Sequence, residues 1–168
     1  MSAARVRAYL KQWGRDRDVL EMPQSTATVA LAATALGVDP ARIAKSLTID
    51  RKGGPGVLVV AAGDARLDNR KFRARFGVNP KMMTPDQAQA FTGFYVGGIC
   101  PFGLPLEVEV FLDESLQRFE TIFPACGSAN SLIEVRPAEL AEYARSRGWV
   151  EVCRLPENQV AQTKRNHA

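Results

Sequence analysis

The unbroken apolar run "GVLVVAA" at residues 56–62 limits the fold more than any other stretch of the chain. With no polar residue to face water, it reads as a strand buried inside a sheet, and the "GGPG" just before it reads as a turn. The chain ahead of it reads mainly as helix. Val6, Tyr9, Leu10 and Trp13 share one face of an amphipathic helix over about 3–15. A second helix is expected over 26–36, capped by Ser25 or Thr26 and stopped by Gly37. Asp39 and Pro40 open a short helix that gives way to the strand "SLTID", with Lys45 at the junction. Beyond the buried run, a helix is expected over 64–76, ended by Gly77. A capped one is expected over 84–91, where Thr84, Pro85 and Gln87 make a capping-box pattern. Strands follow near 106–112, 119–124 and 131–135, then a helix over 137–148 and a closing strand over 149–153. There is no regular βαβ alternation. The expected class is α+β: a mixed, barrel-like sheet surrounded by helices, in one domain over 1–154, with a flexible polar tail over 155–168.

The single histidine, His167, lies next to the C-terminus, which excludes Ser-His-Asp and Cys-His mechanisms and a histidine-based metal site. Cys100, Cys126 and Cys153 form no C-x-x-C pair, so neither a zinc site nor a disulfide framework is suggested. No apolar run is long enough to span a bilayer, and the first residues lack a signal peptide's apolar core. A cytoplasmic location and no membrane partner are expected. The net charge of +4 mildly favours an anionic partner.

Several groups could carry chemistry. Lys45 sits among Ile43, Ala44, Leu47 and Ile49, apolar neighbours that could hold its ammonium in a pocket, although junction lysines are usually solvated. In "YVGGICPFG", Gly97 and Gly98 permit close backbone approach, Pro101 stiffens the second half of the loop, and consecutive N–H groups can form an anion-binding nest. The bland reading of that stretch is a structural loop. Cys100 reads as a small loop residue, since with no histidine outside the tail only a lysine could activate its thiol. "ACGSANS" at 125–131 is either a pocket-lining turn or only a turn. Arg66, Arg70 and Arg73 are spaced for one face of the 64–76 helix, a plausible phosphate-contacting stripe or a solvated face.

Taken together, "STATVALAATALGVDPARIAKSLTI", "YVGGICPFG" and "VFLDESLQRFETIFPACGSANSLIEVRPAEL" resemble, in order and spacing, the YbaK/prolyl-tRNA-synthetase-associated editing domains over about residues 18–147. The resemblance implies a free-standing aminoacyl-tRNA deacylase, which hydrolyses the ester of a mischarged tRNA after a synthetase releases it. Lys45 falls on the family's functional lysine. Gly97 falls on the glycine whose backbone N–H helps hold the substrate end. The partners implied are aminoacyl-tRNA and an aminoacyl-tRNA synthetase, with no cofactor and no metal. Such a site needs positioning and charge stabilisation more than a strong nucleophile, so the lack of a usable histidine fits. Where the alanine-directed members are expected to carry a histidine, in the 127–131 turn, this chain has Asn130, which argues against alanyl-tRNA. Thr26, Ser46, Ser128 and Asn130, with Gly98 and Pro101, are the expected substrate-binding set; the first four suit a seryl or threonyl side chain. The alternatives are a Cys-tRNA(Pro) or Ala-tRNA(Pro) deacylase, a non-catalytic binder of the tRNA 3′ end, and a regulatory protein that keeps the fold without the activity.

Overall fold

The computed structural model describes residues 2–157, so the expected tail lies outside the described residues from 158 onward. In chain order the elements are α1 (Ala3–Leu10), β1 (Leu20–Glu21), α2 (Val29–Leu36), β2 (Ile43–Arg51), β3 (Val57–Ala62), β4 (Arg66–Leu67), α3 (Asn69–Phe76), β5 (Pro80–Met82), α4 (Pro85–Thr92), β6 (Glu109–Asp113), β7 (Phe123–Pro124), β8 (Ser131–Leu132), α5 (Pro137–Tyr143), β9 (Trp149–Val150) and β10 (Cys153–Arg154). The main sheet runs β5-β2-β3-β6-β9, with β7 also beside β2. β2 pairs antiparallel with β3 and β5, whereas β3–β6, β6–β9 and β2–β7 are parallel. This is an α+β fold with a mixed sheet.

β3 lies at the centre of the sheet, and all its residues are fully buried, as its uniform apolarity requires. Phe72, Phe94, Phe102, Leu112, Leu116 and Ile133 pack into the same core. The mixed, barrel-like sheet expected from the sequence is present as an open sheet, not closed into a barrel. The end strands β5 and β9 do not pair with each other, and both are too short to carry a closing ladder.

Several boundaries move for local reasons. The helix expected from residue 64 begins only at Asn69. Asp68 is its cap, accepting the Lys71 N–H at 2.9 Å, and residues 66–67 are drawn into β4 by pairing with β10. Arg66 is therefore not on the helix. The second helix starts at Val29 because Thr28, not Ser25 or Thr26, accepts the Leu31 N–H at 3.1 Å. The first helix tightens into a 3₁₀ turn at Lys11–Trp13, and Gly14 ends it at φ 69°. Residues 106–108 form a turn closed by Val108 N–H on Pro105 C=O, which delays the strand to Glu109. Of the strands expected over 119–124 and 131–135, only the short β7 and β8 form, with an isolated bridge between Ile122 and Val135 beside them. The helix expected to 148 stops at Tyr143, and Arg145 adopts φ 51° just beyond it. The closing strand is split into β9 and β10, with the Val152 N–H turned to Asp113 Oδ1 at 2.9 Å.

Candidate active site

A cleft of about 210 Å³ opens where the start of β2, the N-terminus of α2 and the 96–99 loop meet. Thr26, Ala27, Thr28 and Val29 form one wall, and Ile43 to Ser46 another. Val96, Gly97 and Ile99 close it from above, with Ala125 and Leu132 at the back. β2 brings an unusual edge to this space. β7 covers its outer edge at residues 43–44 and β5 covers it at 49–51, leaving a gap between them. The Thr48 C=O accepts the Met83 N–H at 3.0 Å on that edge, so strand alternation puts the Ser46 N–H and C=O on the same edge, inside the gap. A sheet normally satisfies such groups with a neighbouring strand; here they face the cleft.

Lys45 lines the cleft and is half-buried. Its Nζ donates to the Gly63 C=O at 3.3 Å and to the Ala65 C=O. An ammonium has three donors, so one remains for a ligand. Burial pulls the Lys45 pKa below the ordinary value, and Cys153, Asp64 and Asp113 oppose that pull while Arg66 adds to it. The first turn of α2 adds positive potential on the same side, because its leading N–H groups lack intrahelical partners. Among the described residues, no histidine, carboxylate or thiol lines the cleft. All three cysteines are buried, and burial pushes the Cys100 thiol up to about 12, so it supplies no thiolate at neutral pH.

Gly97 sits at φ 99°, and a Cβ there would lie 3.1 Å from the Ala27 Cβ. Both its conformation and its closeness to the opposite wall require glycine. Gly98 has a different role. A Cβ on it would lie 2.8 Å from the Gly127 carbonyl carbon and the Ser128 nitrogen, so it permits the loop to pack on the 127–128 turn.

The structure thus brings Lys45, Gly97, Thr26 and Ser46 together around one cleft. Gly98, Pro101, Ser128 and Asn130 do not line it. Pro101 borders a second depression with Tyr9, Arg145 and Arg147. Ser128 Oγ bonds to Asn130 Oδ1 and Ser131 Oγ, and Asn130 Nδ2 donates to the Met22 C=O at 2.9 Å. These two residues tie the 127–131 turn to the 22–26 segment, where Thr26 N–H also reaches the Ala129 C=O at 2.7 Å. Arg70 and Arg73 are exposed on α3, with Arg73 reaching Asn79, while exposed Arg66 stands directly opposite Arg154 across β4–β10. Sequence reading missed the Ala27–Val29 wall, Ile99, Ala125 and Leu132. Apart from the Thr28 hydroxyl, these residues bear no chemistry that spacing would flag.

An aminoacyl-tRNA editing domain model matches residues 23–143. The chain belongs to the aminoacyl-tRNA editing domain family. It is 49% identical over 154 residues to the uncharacterized protein YwhH of Bacillus subtilis, a match spanning 92% of this chain and 98% of that one. It is 32% identical over 107 residues to a protein of Enterococcus faecalis named "Putative Cys-tRNA(Pro)/Cys-tRNA(Cys) deacylase EbsC", spanning 62% of this chain and 65% of that one. Among solved structures, one described as "a putative trans-editing enzyme for prolyl tRNA synthetase" superimposes with a TM-score of 0.78 at 31% identity, covering 88% of this chain and 96% of that chain. No helix among the described residues is long and apolar enough to cross a membrane.

Proposed function

We propose that this editing domain is a trans-acting deacylase that hydrolyses the ester of tRNA charged with a small, wrong amino acid. The observation that carries this reading is the cleft itself, which presents a pinned ammonium, backbone donors and a helix N-terminus around a space with no nucleophilic thiol or imidazole. That set suits an activated ester, whose hydrolysis needs its carbonyl oxygen stabilised as negative charge develops. The remaining Lys45 N–H and the Gly97 N–H are the donors for that oxygen, and water is the nucleophile. The apolar walls and the volume of about 210 Å³ limit the acyl side chain to a small one. One extra methylene or hydroxyl gives a synthetase only about 1–3 kcal/mol of discrimination, which is why a second site is needed.

The side-chain preference follows from the lining. Ser128 and Asn130 do not line the cleft and bond to each other, to Ser131 and to Met22, so a preference for seryl and threonyl esters rests on Ser46, Thr28 and Thr26 alone. The otherwise apolar walls favour a small, weakly polar side chain, and cysteine combines that size with that polarity. We rank cysteinyl first, with seryl and threonyl esters as the competing reading. A deacylation panel with cysteinyl-, seryl-, threonyl- and alanyl-tRNA tests both. Turnover of at least one ester supports the deacylase, with the highest kcat/KM expected for cysteinyl-tRNA. Faster seryl or threonyl turnover would restore the hydroxyl-selective site. Protection of every ester without turnover would make the protein a binder of the tRNA 3′ end.

A further inference from the structure

The ammonium of Lys45 is held by one short turn. Gly63 and Ala65 supply its two acceptors, and Asp64 lies between them in sequence with its carboxylate turned elsewhere. Arg118 takes that carboxylate with both terminal nitrogens, at 2.6 and 3.1 Å, and both partners are mostly buried, with side chains 12% and 15% exposed. The same guanidinium donates from Nε to the Ser115 C=O at 2.8 Å. Ser115 Oγ in turn accepts the Ala62 N–H at 3.1 Å, the residue that starts the turn, and Ala62 C=O accepts the Ala65 N–H at 3.0 Å. Gly63 packs so closely on Pro40 that a Cβ would lie 2.0 Å from its carbonyl oxygen, and the Gly63 N–H donates to the Ala41 C=O at 3.3 Å. The turn is therefore clamped on several sides, and two of its carbonyls hold Lys45.

We infer that the Asp64–Arg118 ion pair positions Lys45: it fixes the Gly63–Ala65 turn so that two carbonyls aim the ammonium at the cleft. This rests on the deacylase reading for its kinetic consequence, not for the geometry. A lysine on a four-carbon stem has many rotamers, and its charge is useful to a transition state only if its place is set beforehand. A bidentate arginine–carboxylate pair has the fixed geometry to do that, where a single surface contact would not.

The test uses the intact protein with 13C- and 15N-labelled lysine. The charged and titratable groups around Lys45 are Cys153 on β10, Asp64 in the turn, Arg66 on β4 and Asp113 at the end of β6. Asp64→Asn removes a neighbour that raises the Lys45 pKa, so the Lys45 Cε and Nζ resonances should titrate at lower pH than in the wild type. Arg118→Gln leaves Asp64 without its partner, so the same resonances should titrate at higher pH. Both variants should nevertheless lose about tenfold in kcat with KM nearly unchanged, because each frees the ammonium from its place. Arg118→Lys, which keeps one charged contact, should lie between. In a Lys45→Met background, neither change should lower the residual rate further. If the fold cannot tolerate Asp64→Asn, Arg118→Lys carries the same cycle. Unmoved Lys45 resonances in a folded variant, or rate losses that simply add to that of Lys45→Met, would overturn the inference. The resonance arm shows whether the pair acts on Lys45, and the kinetic cycle with Lys45→Met shows whether it acts by positioning.

Discussion

Lys45 keeps its charge in a place that disfavours it, and that has consequences for stability and rate. Burial puts its folded pKa below the ordinary 10.5, so between those two values the unfolded chain holds the extra proton. Stability from this group therefore rises with pH through that window. It is lowest below it, where both states are charged and the desolvation cost is fully present. Lys45→Met removes the charge while keeping the stem, so Tm at pH 7 should not fall. The kcat for deacylation should drop about 10²-fold, the scale for losing one electrostatic partner of a transition state. The wild-type rate, corrected for spontaneous ester hydrolysis, should decline on the alkaline side at a pH below 10.5, and the residual rate of the variant should show no such limb. A variant with near-wild-type kcat would remove Lys45 from the mechanism.

Among the elements, the 95–103 loop is where backbone conformation matters most. Gly97→Val places a branched side chain at φ 99° and against Ala27, so activity should be abolished by closing the cleft. Cys100 is buried in the core and does not line the cleft, so Cys100→Ala should change kcat less than about twofold. Measured side by side, an inactive Cys100→Ala with an active Gly97→Val would return a covalent thiol to consideration. The same contrast shows what the sequence made legible. β3 and α4 could be read because their signals are local: an unbroken apolar run for β3, and for α4 a Thr84–Gln87 capping box that forms as expected. Lys45 and Gly97 could be read because order and spacing tied them to a family. The start of α3 could not, since Asp64 and Asp68 are both credible caps. Asp64 is withdrawn by Arg118, 54 positions away, a contact no local pattern carries. Ser128 and Asn130 are hard to place for the same reason: Asn130 is tied to Met22, 108 residues earlier, and Ser128 is tied to Asn130. The open gap on β2 and the absent barrel closure depend on which short strands pair, which periodicity leaves undetermined.

At the scale of the whole molecule, the question is how a tRNA would bring its 3′ end to so small a cleft. Arg66 is close enough to Lys45 to act on its charge, and it stands directly opposite Arg154. From there exposed Arg70, Arg73 and Arg75 continue along α3. Like charges facing each other across a strand pair are destabilising, and none of Arg66, Arg70 and Arg154 forms an ion pair among the described residues. Arg154 helps hold the Asp68 carboxyl low, which offsets part of that cost, and the exposed arginines around it suit an anionic partner, here the phosphates of an acceptor stem running toward the cleft. The arrangement differs from a single helical stripe: it is a strand pair beside the site, extended by a helix. Replacing Arg66, Arg70 and Arg154 together by Gln should raise KM about tenfold or more and leave kcat nearly unchanged, because these groups bind without touching the reacting ester. It should also flatten the dependence of kcat/KM on salt by about 0.7–0.9 for each phosphate no longer neutralised, and raise Tm by relieving the Arg66–Arg154 repulsion. Deacylation kinetics across a salt series, with thermal melts of the same preparations, measure all of this. An unchanged KM and salt slope, with only the rise in Tm, would make the arginines a solvated face and move the tRNA path elsewhere.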